Sequence, residues 1–186
     1  MNKKERALNW LQKARESWSN TGAKRPPFAI KPKEGQRSVW DFPRPPVIEK
    51  MYGTIVVNSK GIQIADAKEA LTVLETASPP TYYLEQRSID MDKLVKLPGK
   101  TSLCEWKGKA IYFALKAEEN RPVAWSYPNP FPEFEELKDR LAFYPQHLEC
   151  YVNGNRVKAQ ESEFYAGWIT PDLTGPFKGE KGTEHW

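Results

Sequence analysis

From residue 52 onward, the apolar positions fall in short runs rich in β-branched and aromatic residues. Glycine, proline or asparagine separates one run from the next, which is typical of short strands joined by turns. The runs cover residues 52–57, 62–65, 81–84, 102–106, 110–115, 123–127, 141–144 and 148–152. This pattern predicts a mostly β fold, a compact antiparallel domain that is barrel-like or tent-like.

Two segments instead show helical spacing. In residues 3–19, steps of three and four place Leu11, Ala14 and Trp18 on one face, with lysines and arginines around them. The prediction is a basic amphipathic helix. It either contacts an acidic partner or a membrane surface, or is docked on its own domain or partly frayed. Residues 67–75 carry alanines and leucines at the same spacing, which predicts one short helix within the β domain.

Two turns define hairpins in the predicted sheet. Asn153-Gly154 is the strongest hairpin dipeptide in the chain, because both residues tolerate positive φ. Lys107-Gly108 is expected to turn the chain between residues 102–106 and 110–115. Residues 128–132 are rich in proline and are predicted to form a loop.

The positive charge is confined to the first part of the chain. Residues 1–38 contain ten Lys or Arg and three Glu, whereas the remaining residues contain 18 Lys or Arg and 21 Asp or Glu. Three prolines between residues 24 and 35 predict a stiff linker. We therefore divide the chain into a basic helix and linker, 1–38, and a β-rich domain, 39–186. The mild negative charge of that domain argues against binding of duplex nucleic acid.

Composition narrows the class of protein further. Hydrophobic residues make up 39% of the chain and aromatic residues 12%, enough for a packed core. Two cysteines cannot form a disulfide framework, which favours a soluble protein of the cytoplasm. The sequence contains no apolar run of membrane-spanning length. A protein partner could dock on the basic helix, residues 3–19.

An ordered series of motifs resembles the domain of unknown function family 427, in its long form with flanking motifs on both sides. The motif residues are Val57, Ile64-Ala-Asp66, Leu74-Glu-Thr76, Pro79-Pro-Thr-Tyr-Tyr83, Thr101, Cys104, Lys107-Gly108, Ala124-Trp-Ser-Tyr-Pro128 and Ala142-Phe-Tyr-Pro145. The family-like core covers about residues 52–152, followed by a C-terminal extension, 153–186. The resemblance implies a compact β-rich unit with no established activity.

A nucleotidyltransferase label is also attached to this family, and the residues argue against it. Such chemistry needs a phosphate-binding loop and carboxylates that hold divalent ions. Asp90 and Asp92 supply a D-x-D spacing, but no glycine-rich loop precedes them. We interpret this segment as a solvated loop that caps residues 91–95.

Neither a metal nor a cofactor is expected. The soft ligands available are Cys104, Cys150, His147 and His185, and no Cys-x-x-Cys pair occurs among them. Structural zinc sites draw on closely spaced ligand pairs. On a strand, the three-residue spacing of His147 and Cys150 would send their side chains to opposite faces.

The strongest candidate site combines aromatic residues with isolated polar ones. Glu75, Cys104 and Lys107 are the candidates for catalysis, with Glu75 and Lys107 as the charged pair that orients a polar ligand. The candidate ligand-binding residues are Tyr82, Tyr83, Trp106, Tyr127, Tyr144 and Trp168. Alternate strand residues of a small barrel point inward, so only one of Tyr82 and Tyr83 can face a cavity. The alternative is that these aromatic residues are ordinary core.

Two hypotheses for the function follow. In the first, the domain binds, or binds and transforms, a small polar or aromatic molecule in an aromatic-lined cavity. In the second, it is a non-catalytic protein-interaction module that uses the N-terminal helix and the proline-rich loops. A cavity that holds Glu75 and Lys107 together favours the first, whereas a solid interior and an exposed apolar helix face favour the second.

Overall fold

A computed structural model describes residues 3–183, with side chains described from residue 9 onward. Helix α1 spans Lys3–Glu16, and short 3₁₀ segments lie at Val39–Asp41, Gln86–Ser88, Met91–Lys93 and Pro132–Leu137. The strands are β1 (Arg37–Ser38), β2 (Val47–Ser59), β3 (Ile62–Glu75), β4 (Ser78–Tyr83), β5 (Leu94–Cys104), β6 (Gly108–Leu115), β7 (Ala124–Pro130), β8 (Leu141–Phe143), β9 (Glu149–Val152), β10 (Asn155–Arg156), β11 (Lys158–Ala159), β12 (Trp168–Ile169) and β13 (Leu173–Thr174). The predicted mostly β fold is confirmed.

The strands form two main antiparallel sheets. The first has the order β10-β9-β2-β3-β4 and the second β5-β6-β7-β8. Reciprocal backbone hydrogen bonds between Leu84, just after β4, and Leu141, at the start of β8, join the sheets. The joined sheets curl into a half-barrel, which encloses apolar side chains on its concave side.

The helix predicted for residues 67–75 is wrong, because this segment is the second half of strand β3. It pairs with β2 on one side, from Ala67 opposite Ile55 to Leu74 opposite Val47, and with β4 on the other. Residues 70–74 are all buried, so both faces of the strand are covered. A strand buried on both faces loses its polar alternation, and its apolar residues then match helical spacing by coincidence.

The other predicted hairpins are present with small shifts. Strands β2 and β3 turn at residues 60–61, and β9 and β10 turn at Asn153-Gly154. The turn between β5 and β6 comes slightly earlier than predicted, since Cys104 pairs with Gly108 and residues 105–107 form the loop. The proline-rich residues 128–132 are not wholly a loop, because β7 continues as far as Pro130.

The N-terminal segment lies against the β domain. Trp18 stacks on Trp40 with ring centroids 6.5 Å apart, and Phe28 contacts the same ring edge-on at 4.9 Å. Arg15 donates a hydrogen bond to the carbonyl oxygen of Glu105 at 2.8 Å. The division of the chain at residue 38 stays a prediction, which cooperative unfolding of residues 39–186 expressed alone would test.

No helix in residues 3–183 has both the length and the apolar character needed to cross a membrane.

The tip of the β5–β6 hairpin requires a glycine. Gly108 has a φ of +98°, and a side chain there would also approach the carbonyl oxygen of Asn129. We expect Gly108→Val to lower the free energy of unfolding by roughly 1–3 kcal/mol, the cost of one strained backbone position. Urea denaturation measures the change, with the exposed neighbour Lys109→Val as control. Equal stability of the two variants would contradict the strain.

Candidate functional site

A cavity of about 170 Å³ lies where β3 and β4 of the first sheet meet β5, β6 and β7 of the second. The C-terminal segment, residues 160–167 together with Lys178, closes one side of it. The side chains that line its interior are mostly phenolic, indole or charged: Glu75, Tyr83, Ser102, Cys104, Glu105, Lys107, Tyr112, Trp125, Tyr127 and Tyr144. Polar groups on apolar walls are typical of a small-molecule site.

The volume of the cavity limits what it can enclose. An engineered cavity of about 150 Å³ binds benzene, whereas sites for drug-sized ligands are roughly 300–1,000 Å³. At about 170 Å³, this cavity suits a single ring with one substituent. It is too small to enclose a nucleoside triphosphate.

The alternation of strand β4 decides which tyrosine faces the cavity. Tyr83 is fully buried and lines the cavity, with its ring 6.2 Å from that of Trp125. Tyr82 points to the opposite face of the sheet, where it stacks on Trp168 at 4.8 Å. Trp168 is held there by a hydrogen bond from its Nε1 to the carbonyl oxygen of Phe143. Tyr82 and Trp168 are therefore core residues outside the cavity.

The ammonium of Lys107 is the central charge of the site. Burial works to lower its pKa, but the neighbouring groups of Cys104, Tyr83, Glu75 and Glu105, when negatively charged, outweigh burial and raise the pKa well above its ordinary value. Lys107 is therefore a cation at neutral pH. The salt bridges that Glu75 and Glu105 form are with Arg44, and these two carboxylates act on the ammonium of Lys107 through their charge.

The two carboxylates of the cavity are paired with an arginine behind it. Arg44 donates hydrogen bonds to Oε1 of Glu75 and, at 3.3 Å, to Oε1 of Glu105, and its own side chain is only 8% exposed. Its guanidinium also lies 5.5 Å from the ring centre of Trp18 and 5.4 Å from that of Trp106. Arg44 thus fixes both carboxylates at one end of the cavity.

Trp106 lies behind the cavity wall rather than in it. The guanidinium of Arg15, in helix α1, lies 4.9 Å from the ring centre of Trp106, and that of Arg44 lies 5.4 Å from the same centre. The indole nitrogen of Trp106 is buried without a hydrogen-bond partner among the described residues. This side chain therefore supports Arg44 and does not contact the cavity.

The phenols of the cavity are held in their neutral form. Burial raises the pKa of Tyr83 to about 12, although Lys107 and hydrogen bonds from Trp125 and Tyr127 work in the opposite direction. Burial also raises the pKa of Tyr127 and of Tyr144. Because Tyr83 accepts hydrogen bonds from Trp125 and Tyr127, its own hydroxyl proton remains available to a ligand at neutral pH.

The thiol of Cys104 and the hydroxyl of Ser102 extend the polar side of the cavity. Cys104 Sγ lies 3.8 Å from Oε2 of Glu105, and Ser102 Oγ lies 2.7 Å from the hydroxyl oxygen of Tyr112. The second cysteine, Cys150, is buried in the core on β9, and burial raises the pKa of its thiol. The two cysteines are both free.

A glutamine holds the C-terminal segment against the cavity. Gln160 is buried, accepts a hydrogen bond from the backbone of Gly167 at 2.9 Å and donates one to the carbonyl oxygen of Lys178 at 2.6 Å. Gly167 passes so close that a Cβ would lie 2.6 Å from the carbonyl oxygen of Pro79. The ammonium of Lys178 lies 4.8 Å from the ring centre of Tyr165 at the cavity edge.

Six of the nine site residues named from the sequence line this one cavity. They are Glu75, Tyr83, Cys104, Lys107, Tyr127 and Tyr144. Sequence reasoning missed further lining residues, namely Ser102, Glu105, Tyr112, Trp125, Gln160, Tyr165 and Lys178. Strand alternation could have found Ser102 beside Cys104, but no local signal brings the C-terminal residues to this place.

The other candidate ligands and carboxylates lie elsewhere. Asp90 pairs with Lys93 on the surface, away from the cavity lining, and its side chain does not cap the 3₁₀ segment that follows. His147 lies in a loop, where burial and Arg121 lower its pKa. In residues 3–183, no three His, Cys, Asp or Glu side chains are grouped as a metal site would need. His185 lies outside the described residues.

Comparison with known proteins gives a match to a family. The model of a family described as Domain of unknown function (DUF427) matches residues 47–154. This range begins slightly before and ends slightly after the core expected from the sequence motifs. A search of curated proteins finds no match.

Proposed function

The chain belongs to the DUF427 family, whose description names no activity, and we propose from its own cavity that it binds a small aromatic monoanion. The ligand's negative group lies against the ammonium of Lys107, and its ring lies among Tyr83, Trp125 and Tyr144.

The observation that carries this proposal is the position of the Lys107 ammonium in the cavity, outside the ion pairs of the nearby carboxylates. Lys107 is partly buried and lines the cavity, so its charge has reduced access to water and is stabilised by a partner of opposite charge. Glu75 and Glu105 attract the ammonium of Lys107 through their charge, but the salt bridges that they form are with Arg44. A carboxylate on a ligand would supply a direct ion-pair partner.

The charges around the cavity favour an anionic ligand. The cations Arg15, Arg44, Lys107 and Lys178 lie around two carboxylates, Glu75 and Glu105. Of these cations, Lys107 and Lys178 line the cavity itself. We choose a monoanion because the volume leaves room for one small charged group beside the ring.

The aromatic walls favour a planar ligand. The rings of Trp125 and Tyr144 lie 4.8 Å apart and are inclined by 58°, and Tyr83 meets Trp125 at a nearly right angle. Offset and edge-to-face contacts of this kind stabilise a further ring beyond the effect of area alone. The neutral hydroxyl of Tyr83 donates to a carboxylate oxygen or to a ring substituent.

Glu75 is oriented by its partner. Arg44 takes one oxygen of this carboxylate and holds the group in place, while the second oxygen keeps the lone pair that a general base needs. Glu75, Cys104 and Lys107 remain the residues that would act if the ligand were transformed. The interaction-module alternative is weakened because Arg15 and Trp18 already pack on the chain's own domain.

A thermal-shift and calorimetric screen tests the proposal. The probes are small aromatic carboxylates, of which benzoate is the simplest, each paired with its neutral amide. A ligand that binds the native state raises Tm, so the carboxylates should raise it and the amides should raise it less. If no carboxylate in the panel binds more tightly than its amide, the proposal is wrong.

A variant tests whether the ammonium of Lys107 binds the carboxylate of the ligand. Lys107→Met keeps the length and removes the ammonium, and it should weaken benzoate binding by about 10- to 100-fold, the value of a hydrogen bond to a charged group. Affinity for benzamide should change little. The matched control is Lys109→Met on the same hairpin, whose side chain is exposed and points away from the cavity lining. An equal loss for benzoate and benzamide would contradict the role of Lys107.

A further inference from the structure

The mouth of the cavity is apolar and exposed. Leu103, Phe164 and Tyr165 line the same cavity as Lys107, yet their exposures are 46%, 62% and 40%. Side chains of this type rarely form a contiguous exposed group on a protein surface without a function. We name Leu103, Phe164 and Tyr165 the rim.

The backbone that carries the rim aromatics is firmly held. The amides of Phe164 and Tyr165 both donate to Oγ of Ser162, at 3.1 and 2.8 Å. The side-chain amide of Gln146 donates to the carbonyl oxygens of Gln160, Ser162 and Tyr165. Phe164 and Tyr165 pack edge-on with centroids 5.3 Å apart. These bonds hold the backbone that places the two rings at the entrance.

The cavity is more polar in its interior than at its entrance. Lys107 and the tyrosine hydroxyls occupy the interior, whereas Leu103 and Phe164 present hydrocarbon and ring surface at the entrance, where the ammonium of Lys178 lies against the ring of Tyr165. A ligand confined to the cavity would leave the rim exposed to water. A ligand with an apolar extension would cover it and gain the free energy of burying that surface.

Resting on the proposed function, we infer that the bound molecule is amphipathic, with its anionic ring in the cavity and an apolar tail that crosses the rim. The tail lies over Leu103 on one side and over Phe164 and Tyr165 on the other. Its negative group still pairs with Lys107.

A series of para-alkylbenzoates, with tails from methyl to heptyl, tests this inference by calorimetry on the full chain. Each methylene that reaches the rim should tighten binding roughly two- to fourfold, as expected for a buried methylene. The gain should stop once the tail passes the rim and extends into water.

Two double variants test whether the dependence of affinity on tail length comes from the rim. Leu103→Ser with Phe164→Ser should abolish the gain in affinity with each added methylene of the tail. The control is Tyr52→Ser with Ile62→Ser, which removes two equally exposed apolar side chains, at 70% and 56%, outside the cavity lining. This control should keep the full dependence on tail length.

The possible results distinguish a failure of this inference from a failure of the proposed function. If benzoate binds but affinity does not change with tail length, or if the dependence survives in the rim variant, the inference is wrong and the proposed function stands. If neither benzoate nor any alkylbenzoate binds, the proposed function is wrong as well.

Discussion

Replacing Arg44 with methionine is expected to lower the free energy of unfolding by about 3 kcal/mol or more, the cost of breaking a buried ion pair by removing one partner. Arg44 is nearly inaccessible to water, and it pairs with two carboxylates that are themselves mostly buried. Methionine fills the same space between Trp18 and Trp106 but leaves Glu75 and Glu105 without a cation. The measurement is the midpoint and slope of urea denaturation.

Two further variants separate charge from packing. Arg25 pairs with Asp41 on the surface, so Arg25→Met should cost less than about 1 kcal/mol. Adding Glu75→Gln and Glu105→Gln to Arg44→Met should restore part of the lost stability, because the two remaining groups are then neutral. If Arg44→Met is no less stable than Arg25→Met, the buried ion pair does not stabilise the domain.

Raising the pH from 10 to 12 is expected to unfold the protein through its buried tyrosines. Burial raises the pKa of Tyr82 and of Tyr83 from 10.0 to about 12. In this interval the native state binds more protons than the unfolded chain, so the free energy of unfolding falls as pH rises. Each of the two tyrosines contributes about 2–3 kcal/mol to the fall, at 1.36 kcal/mol for each pKa unit. That sum is comparable with the total stability of an ordinary domain.

Tyrosinate absorbance and circular dichroism followed together measure this transition. The absorbance of the buried tyrosines should rise only as the near-ultraviolet circular dichroism signal is lost. Tyr83→Phe should weaken the pH dependence between 10 and 12, whereas Tyr52→Phe should not, because Tyr52 is 70% exposed. Full ionisation of the tyrosines in a chain that is still folded would contradict the burial of these phenols.

The sequence predicts the sheets well where the strands have one polar face. Strand β9 and the Asn153-Gly154 turn are examples, since alternation and turn chemistry agree there. It fails for residues 67–75, where alanine and leucine favour a helix but neighbours on both sides, β2 and β4, impose a strand. Tertiary pairing overrides a weak local preference of this kind.

The candidate site is likewise predicted where local pattern decides it and missed where long-range packing does. Glu75 and Tyr83 lie near the ends of paired strands, and Cys104 and Lys107 lie around one hairpin, so short-range pattern brings them near each other. Arg44 and Lys178 reach the site from distant segments, and nothing in their neighbouring sequence indicates where those segments return. Their placement depends on long-range packing, such as that of Trp40 beneath Trp18 and Phe28.

The two thiols lie in different surroundings, so one of them can be labelled selectively. Cys150 is sealed in the core and holds its proton, so an alkylating reagent in neutral solution reaches it only when the chain opens. Cys104 can be reached through the cavity mouth. A library of weakly electrophilic fragments would therefore report, by intact-mass spectrometry, on which shapes enter the cavity. A reversible occupant would reveal itself by slowing the labelling at that single position.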